Sequence, residues 1–438
     1  MRLKTLLPLS LLVVGALVFL AWRMAPPSPM VDFTSEEITR ILQLSPLPPV
    51  PEDPSNGQAD NPQAADLGRR LFFHKGLSPG AQFSCATCHQ PEKGWSNGQQ
   101  FGQGVGTTRR HVPTLWNVAY NRWFFWDGRA DTLWAQALRP IEDPLEMGSD
   151  RLWVAHAVGE DIDLRKGYQQ VFGPLPDLSD ANRFPARGRP VPGQPSHPLQ
   201  QAWQSMSPQD QTAVNQVFAN VGKAIAAFER RIVTREAPFD VFVEGLRERD
   251  QTKLDAISES AQRGLKLFIG RGQCRLCHNG PNFSDSEFHN LRLPQNPSRP
   301  LDNGRYGGIE VVRDDTFNAA GPYSDDPGVE KVSYLDQFGD TWGQFKTPTL
   351  RNVALTAPYT HEGIFPSLED VIHFYSTFEN AAPMGHHDET FLVPLRLSEQ
   401  EKQDLIAFLQ SLTQFPPRAE IPGGMPAQRP AAEMAARE

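Results

Sequence analysis

The sequence predicts a mainly α protein made of two related units joined by long irregular loops, and three observations carry that reading. Apolar residues recur at helical spacing, most clearly at Val217, Val221, Ile225, Phe228 and Ile232. Strand signals are scarce, while 40 prolines and 34 glycines in 438 residues favour loops and short helices. The chain also echoes itself. Arg70-Leu71-Phe72-Phe73 precedes one cysteine pair and Gly264-Leu265-Lys266-Leu267-Phe268 a second. Each pair is followed by a Pro-Thr-Leu segment, Pro113-Thr114-Leu115-Trp116-Asn117-Val118-Ala119 and Pro348-Thr349-Leu350-Arg351-Asn352-Val353-Ala354.

In chain order, Arg2 and Lys4 open an apolar run from Leu6 to Trp22, broken only by Pro8, Ser10 and Gly15. Residues 1–25 read as a signal peptide or an N-terminal membrane anchor, since about 17 apolar residues can do either. With Arg2 and Lys4 held inside, the rest of the chain faces outward. Residues 26–62, rich in Pro, Asp and Asn, read as a linker with a short helix at Ser35–Leu42. The first unit is expected over 63–211. It opens on a helix near Ala64–Phe73 and ends in a Pro-rich insert, 176–211, that reads as a solvated surface loop.

The second unit is expected over 212–416, opening on the helical spacing of Val214–Val233 and crossing a polar Gly/Pro/Asp-rich stretch at about 293–343. Pro366–Phe378 reads as a helix with proline at its start and acids in its first turn. Ser398-Glu399-Gln400-Glu401 is a capping-box start for an amphipathic helix carrying Leu405, Phe408, Leu409 and Leu412. The tail, 417–438, reads as disordered. The 39% hydrophobic content is that of a globular protein, and a net charge of −9 argues against nucleic acid as a partner.

All four cysteines sit in two copies of one motif, Cys85-Ala86-Thr87-Cys88-His89 and Cys274-Arg275-Leu276-Cys277-His278. C-x-x-C-H is the attachment signature of c-type haem: two thiols form thioethers and the histidine ligates iron. A redox dithiol or a Cys₄ zinc site needs no histidine after both pairs, and zinc ribbons keep their pairs within roughly 15–20 residues. Two covalently bound haem c groups are therefore expected, with Cys85, Cys88, Cys274 and Cys277 as attachment points and His89 and His278 as iron ligands. Such haems are attached outside the cytoplasm, in keeping with the N-terminal signal.

An iron with two strong protein ligands carries electrons, and one with an open side binds peroxide or oxygen. In the helix Pro366–Phe378, the residues Leu368, Val371, Tyr375 and Phe378 form an apolar stripe, with His373 facing outward. On spacing alone Tyr375 is either a packed aromatic or an iron ligand. The loop after His89 offers no methionine or histidine before His111, which suits a surface or structural role. The first haem is thus expected to be five-coordinate and reactive.

Together with both C-x-x-C-H motifs, three further segments resemble the bacterial di-haem cytochrome c peroxidase/MauG superfamily across Leu67 to Leu412. They are Phe125-Trp126-Asp127-Gly128-Arg129-Ala130, Pro140-Ile141-Glu142-Asp143-Pro144-Leu145-Glu146-Met147 and the stretch from Leu350 to Tyr359. The resemblance implies two cytochrome c-like domains with one haem each. The N-terminal haem reacts with hydrogen peroxide and the C-terminal haem relays electrons. It assigns the active-site glutamine and glutamate to Gln136 and Glu146, the pocket proline to Pro140 and the tryptophan between the haems to Trp126. Glu142 and Asp143 are carboxylates that the residues alone do not separate from Glu146.

Three departures matter within the family. The histidine that gates the peroxide haem in typical peroxidases falls near Gln103 here. Their methionine ligand on the second haem is replaced by Tyr375, as in MauG, which favours a high-valent iron and storage of two oxidising equivalents. MauG's surface tryptophan before its second motif has no aromatic counterpart in Ile269-Gly270-Arg271-Gly272-Gln273. The resemblance also implies one calcium ion held by the carbonyls of Thr356 and Pro358, with His111 at the side-chain ligand's position. The function it implies first is a MauG-like periplasmic enzyme that uses hydrogen peroxide to oxidise a residue, foremost a tryptophan, on an exported partner protein. The alternative is a cytochrome c peroxidase fed by a small cytochrome or copper protein. A plain di-haem electron carrier is the non-enzymatic reading.

Overall fold

A computed structural model describes residues 28–328, 331–382 and 392–415. The signal or anchor segment, 1–25, and the tail, 417–438, lie outside the described residues. Among those described, no helix is long and apolar enough to cross a membrane. The helices used below are α1 (Ser35–Leu42), α2 (Pro62–Phe73), α3 (Leu133–Glu142), α4 (Pro208–Glu229), α5 (Pro238–Glu248), α6 (Glu259–Ile269), α7 (Leu368–Thr377) and α8 (Glu399–Ser411). The paired strands β1 (Phe288–His289) and β2 (Phe345–Lys346) run antiparallel, with Phe288 opposite Lys346.

Two helix crossings organise the molecule. Asn61 caps α2 by accepting from Gln63 N, with Pro62 in the first turn. Ser207 caps α4 by accepting from Asp210 N, with Pro208 in the first turn. The two helices meet at Gly68, where a Cβ would collide with the Ala224 carbonyl oxygen. In the second unit α6 meets α8 at Gly264, where a Cβ would collide with the Asp404 carbonyl oxygen. The Ser398/Glu401 capping box starts α8 as the sequence predicts. Each crossing holds an aromatic core. Phe72, Trp95 and Phe228 pack in the first; Phe239, Phe268 and Phe408 pack in the second, the last two 5.0 Å apart.

The pairing of crossings corrects the expected division. Helix α4, expected to open the second unit, closes the first. Val214, Val217, Ile225, Phe228 and Ile232 are buried in the core that holds Leu67 and Leu71, and the second core takes up later, at Phe239. In the repeat, α4 is the counterpart of α8. The boundary therefore falls beyond Ile232 rather than at 211/212, because the apolar face of α4 fits the groove that Gly68 leaves in α2.

Two further segments are packed rather than loose. The stretch expected as a linker carries α1, as predicted, but Ile41 and Leu44 are wholly buried in the second core. Ser45 Oγ donates to Asp240 at 2.6 Å, Asn56 Nδ2 donates to Lys223 O at 3.1 Å and Ser55 Oγ accepts from Trp134 Nε1 at 3.0 Å. The segment straps both units. The Pro-rich insert, expected in solvent, buries Phe184, Trp203 and Met206 in the first core. Arg187 ties it to the buried Asp150 at 2.7 Å. Outside the short helices Ser35–Leu42 and Pro198–Gln204, prolines deny both segments a helical or alternating pattern, so buried side chains such as Leu44 and Phe184 leave no periodic trace.

Candidate active site

The two C-x-x-C-H motifs fold alike. His89 N donates to Cys85 O and His278 N to Cys274 O, each at 2.9 Å. His89 Nδ1 donates to Trp95 O at 3.0 Å and His278 Nδ1 to Phe283 O at 2.9 Å, and both acceptor residues have left-handed backbones. A bond at Nδ1 fixes the tautomer and leaves Nε2 free to ligate a metal. Burial pushes His89 down to about 4 and lowers His278, so both rings are neutral and ligand-competent. Thr114 Oγ1 donates to Gly94 O at 2.6 Å, and Thr349 Oγ1 to Asn282 O at 2.7 Å. Asn117 and Asn352, also left-handed, both bond Thr234.

A cavity of about 1030 Å³ runs between the motifs, lined by Cys88 and His89 of one and Cys274, Cys277 and His278 of the other. The cysteine pairs belong to separate cores, which rules out a Cys₄ zinc site. Burial raises the Cys85 and Cys88 thiols and pushes Cys274 up to about 12, the opposite of a reactive dithiol. The paired thiols, the free Nε2 atoms and the connected cavity suit two attached haems.

The repeat continues past the Pro-Thr-Leu segments at one constant offset. Phe125 and Thr360 share a positive φ, 64° and 80°, as do Gly128 and Gly363. The bridge Phe124–Ala130 corresponds to Tyr359–Phe365, and Thr132 and Ser367 then cap α3 and α7. The offset matches Leu133 with Leu368, Gln136 with Val371 and Pro140 with Tyr375. All of these but Leu133 line the cavity. Tyr375 faces the second motif: burial, with Cys274 and Cys277 beside it, drives its hydroxyl well above the ordinary tyrosine value. His373 is exposed beside Glu379, as the helical stripe predicts.

Around Pro140 the first site gathers the predicted residues. Gln136 Oε1 is buried without a hydrogen-bond partner, an acceptor left for a bound group. Glu146 lines the cavity, and burial, aided by Asp143 and opposed by Arg129, pushes its carboxyl up to about 7. Of the competing carboxylates, Glu142 is taken by Arg151 at 3.0 Å, and Asp143 accepts from Leu145 N at 2.8 Å. The backbone holds Glu146 in place, its carbonyl accepting from Val105 N at 2.9 Å. Gln103, at the gate position, is exposed and accepts from Thr107 Oγ1 at 3.1 Å instead of entering the cavity.

Trp126 lies where the units join. Its Nε1 donates to His111 O at 2.9 Å and its carbonyl accepts from Lys346 N at 2.7 Å. In the repeat Trp126 corresponds to His361 and His111 to Lys346. The reciprocal bond, His111 N to His361 O, is 2.8 Å. Sequence reasoning passed over Arg129, whose guanidinium stacks 3.6 Å over Phe125 and pairs with Asp127 at 3.1 Å, and over His361 and Lys346. The Pro113/Pro348 echo could have found the last two, had its offset been carried further in both directions.

The residues expected to hold calcium do not suit it. The His111 ring is buried and donates from Nδ1 to Gln99 O at 2.9 Å, with the Gln100 and Thr356 carbonyls facing it. Calcium takes six to eight oxygen ligands. Here an imidazole supplies no oxygen, and its one N–H is spent on Gln99 O. At the expected site of Thr356 and Pro358 the side-chain position is thus filled by a histidine clasped to Gln99 O rather than by an oxygen ligand.

Comparison with known proteins agrees with this geometry. The family profile described as di-haem cytochrome c peroxidase matches residues 62–248. A cytochrome-c peroxidase of Pseudomonas sp. strain SCT, IdrP2, is 32% identical over 87% of this chain and 88% of its own length. The chain belongs to the di-haem cytochrome c peroxidase/MauG family. Within that family it is also similar to the methylamine utilization protein MauG of Methylorubrum extorquens, at 31% identity over 82% of this chain and 81% of that protein. The crystal structure of a MauG-like protein associated with microbial copper homeostasis superposes with a TM-score of 0.59. It is 25% identical and covers 87% of this chain and 98% of its own. The chain is a di-haem, peroxidase-type oxidoreductase with the mainly helical fold of that family.

Proposed function

We propose that this is a MauG-like, exported enzyme of the periplasm. It takes oxidising equivalents from hydrogen peroxide and uses them to oxidise a residue, foremost a tryptophan, on a partner protein. The observation that carries this reading is the pair Pro140 and Tyr375, one position of the repeat filled by a residue with no ligand atom and by a phenol. Bound through Cys85/Cys88 and Cys274/Cys277 with His89 and His278 as iron ligands, the haems supply peroxide reduction and storage of oxidising equivalents. Pro140 offers the first site no side-chain ligand, and Gln103 would leave a haem there ungated. Gln136 orients peroxide through its unpartnered acceptor. Glu146, poised near neutrality, takes the proton from one peroxide oxygen and returns it to the other. Tyr375 would hold the second haem's iron: burial keeps its phenol protonated, and the charge of a ferric ion would offset the cost of ionising it there. Trp126, on the backbone joint, lies between the sites.

The second reading, a cytochrome c peroxidase supplied by a small redox protein, is favoured by the similarity to IdrP2 and by the lack of an aromatic in 269–273. Incubation of the di-ferric protein with peroxide and its co-encoded exported proteins, followed by mass spectrometry, separates the two. The proposal expects an oxidised tryptophan on a partner. Consumption of peroxide only with reduced cytochrome, with every candidate partner unmodified, would contradict it.

A further inference from the structure

The two halves differ in how they treat one basic side chain at their joint. His111 and Lys346 hold the same position in the repeat and make the reciprocal backbone bonds to His361 and Trp126. The His111 ring is satisfied inside its own unit by Gln99 O. The Lys346 side chain is not. It is 8% exposed and lines the cavity, and its Nζ reaches one acceptor, the Thr347 carbonyl, at 3.3 Å.

An ammonium has three donors, and a buried one without a counter-ion is strongly disfavoured. Burial pulls Lys346 down to about 8, and the one carboxylate whose charge reaches it, Asp285, is held by His289 at 2.8 Å. Other basic side chains on the cavity wall are provided for. Arg110 pairs with Asp127 and Asp302, Arg129 pairs with Asp127, Arg299 lies 4.0 Å from Glu362, Arg292 donates to Leu392 O at 2.7 Å, and Arg109 is exposed to water. The haems that this cavity suits bring carboxylates of their own, in their propionate side chains.

We propose that the Lys346 ammonium is the counter-ion of a haem propionate at the joint between the units, and that its charge raises that haem's reduction potential. A cation beside the porphyrin disfavours the more positive, oxidised iron. The assignment goes beyond the proposed function and needs only that the haems are attached.

The test is a spectroelectrochemical titration of the holoprotein, with haem content checked in every variant. Lys346→Met should lower one midpoint potential and leave the other unmoved, whereas Lys346→Arg should keep both near their original values. In Lys346→Met the lowered midpoint should also become pH-dependent as the unpaired propionate titrates. If Lys346→Met fails to accumulate with two haems, Lys346→Gln, neutral but still a donor to Thr347 O, should give the same downward shift. Two unmoved midpoints in a neutral variant that carries both haems would overturn the assignment. If that variant still oxidised a partner protein, the proposed function would stand.

Discussion

Pro140 and Tyr375 stand at the same position of the repeat, one on each of the two capped helices that border the cavity. On the proposed function, the residue type at this single position makes one site open and the other closed. Replacing the proline by a ligating residue should therefore make the first site resemble the second. Pro140→Tyr is expected to convert the first haem from high-spin to low-spin and to abolish its reaction with peroxide. The visible and electron paramagnetic resonance spectra of the ferric variant check this.

In the proposed function Glu146 accepts a proton only while it is ionised, and burial has pushed its carboxyl up to about 7. The carboxylate form grows as pH rises through that value and is lost below it. The rate of reaction with peroxide should therefore climb through about pH 7 and level off above it. Glu146→Gln should remove that rise and slow the reaction by about 10²–10⁴-fold. Stopped-flow kinetics across pH 5.5–8.5, a range chosen to bracket the value of about 7, measure both effects.

The two helix crossings should respond alike to one added methyl group. Gly68→Ala and Gly264→Ala each drive a Cβ into a backbone carbonyl, which has no side-chain freedom with which to yield. Each is expected to cost about 1–3 kcal/mol or more, as overpacking of a close-packed core does. Thermal unfolding of the holoprotein should show both losses. Gly173→Ala, at a glycine with open space around it, is a control for the cost of a positive φ without a collision.

Calcium should be without effect on this protein. His111 stands at the side-chain ligand's position, offers no oxygen and is bonded to Gln99 O, so a chelator is expected to remove nothing. The melting temperature should be the same with and without EGTA. His111→Asn, which restores a side-chain oxygen, should melt higher when calcium is added. A wild-type protein destabilised by EGTA and restored by calcium would contradict the histidine clasp.

What the sequence made legible was what repeats or alternates. The C-x-x-C-H pairs, helix α1, the Tyr375 stripe and the Ser398 cap each rest on a local spacing that survives any packing. Gln136 and Glu146 came from the family's motif, and only burial and the engagement of Glu142 by Arg151 separate Glu146 from its neighbours. The unit boundary was misread because α4 is apolar around much of its circumference and its pattern does not say which unit it serves. Phe184 and Leu44 are hidden in proline-rich stretches that pack without periodicity. Beyond Ala119 and Ala354 the two halves keep the same backbone but few of the same side chains. The correspondence of Trp126 with His361 is thus visible in φ angles and reciprocal bonds rather than in residue type.

On the proposed function one open site stands beside one closed by Tyr375. The most direct test is the electron paramagnetic resonance spectrum of the resting di-ferric holoprotein and of Tyr375→His. One high-spin and one low-spin signal are expected, with only the low-spin signal changed by the substitution. Two low-spin signals, both indifferent to Tyr375, would contradict the account.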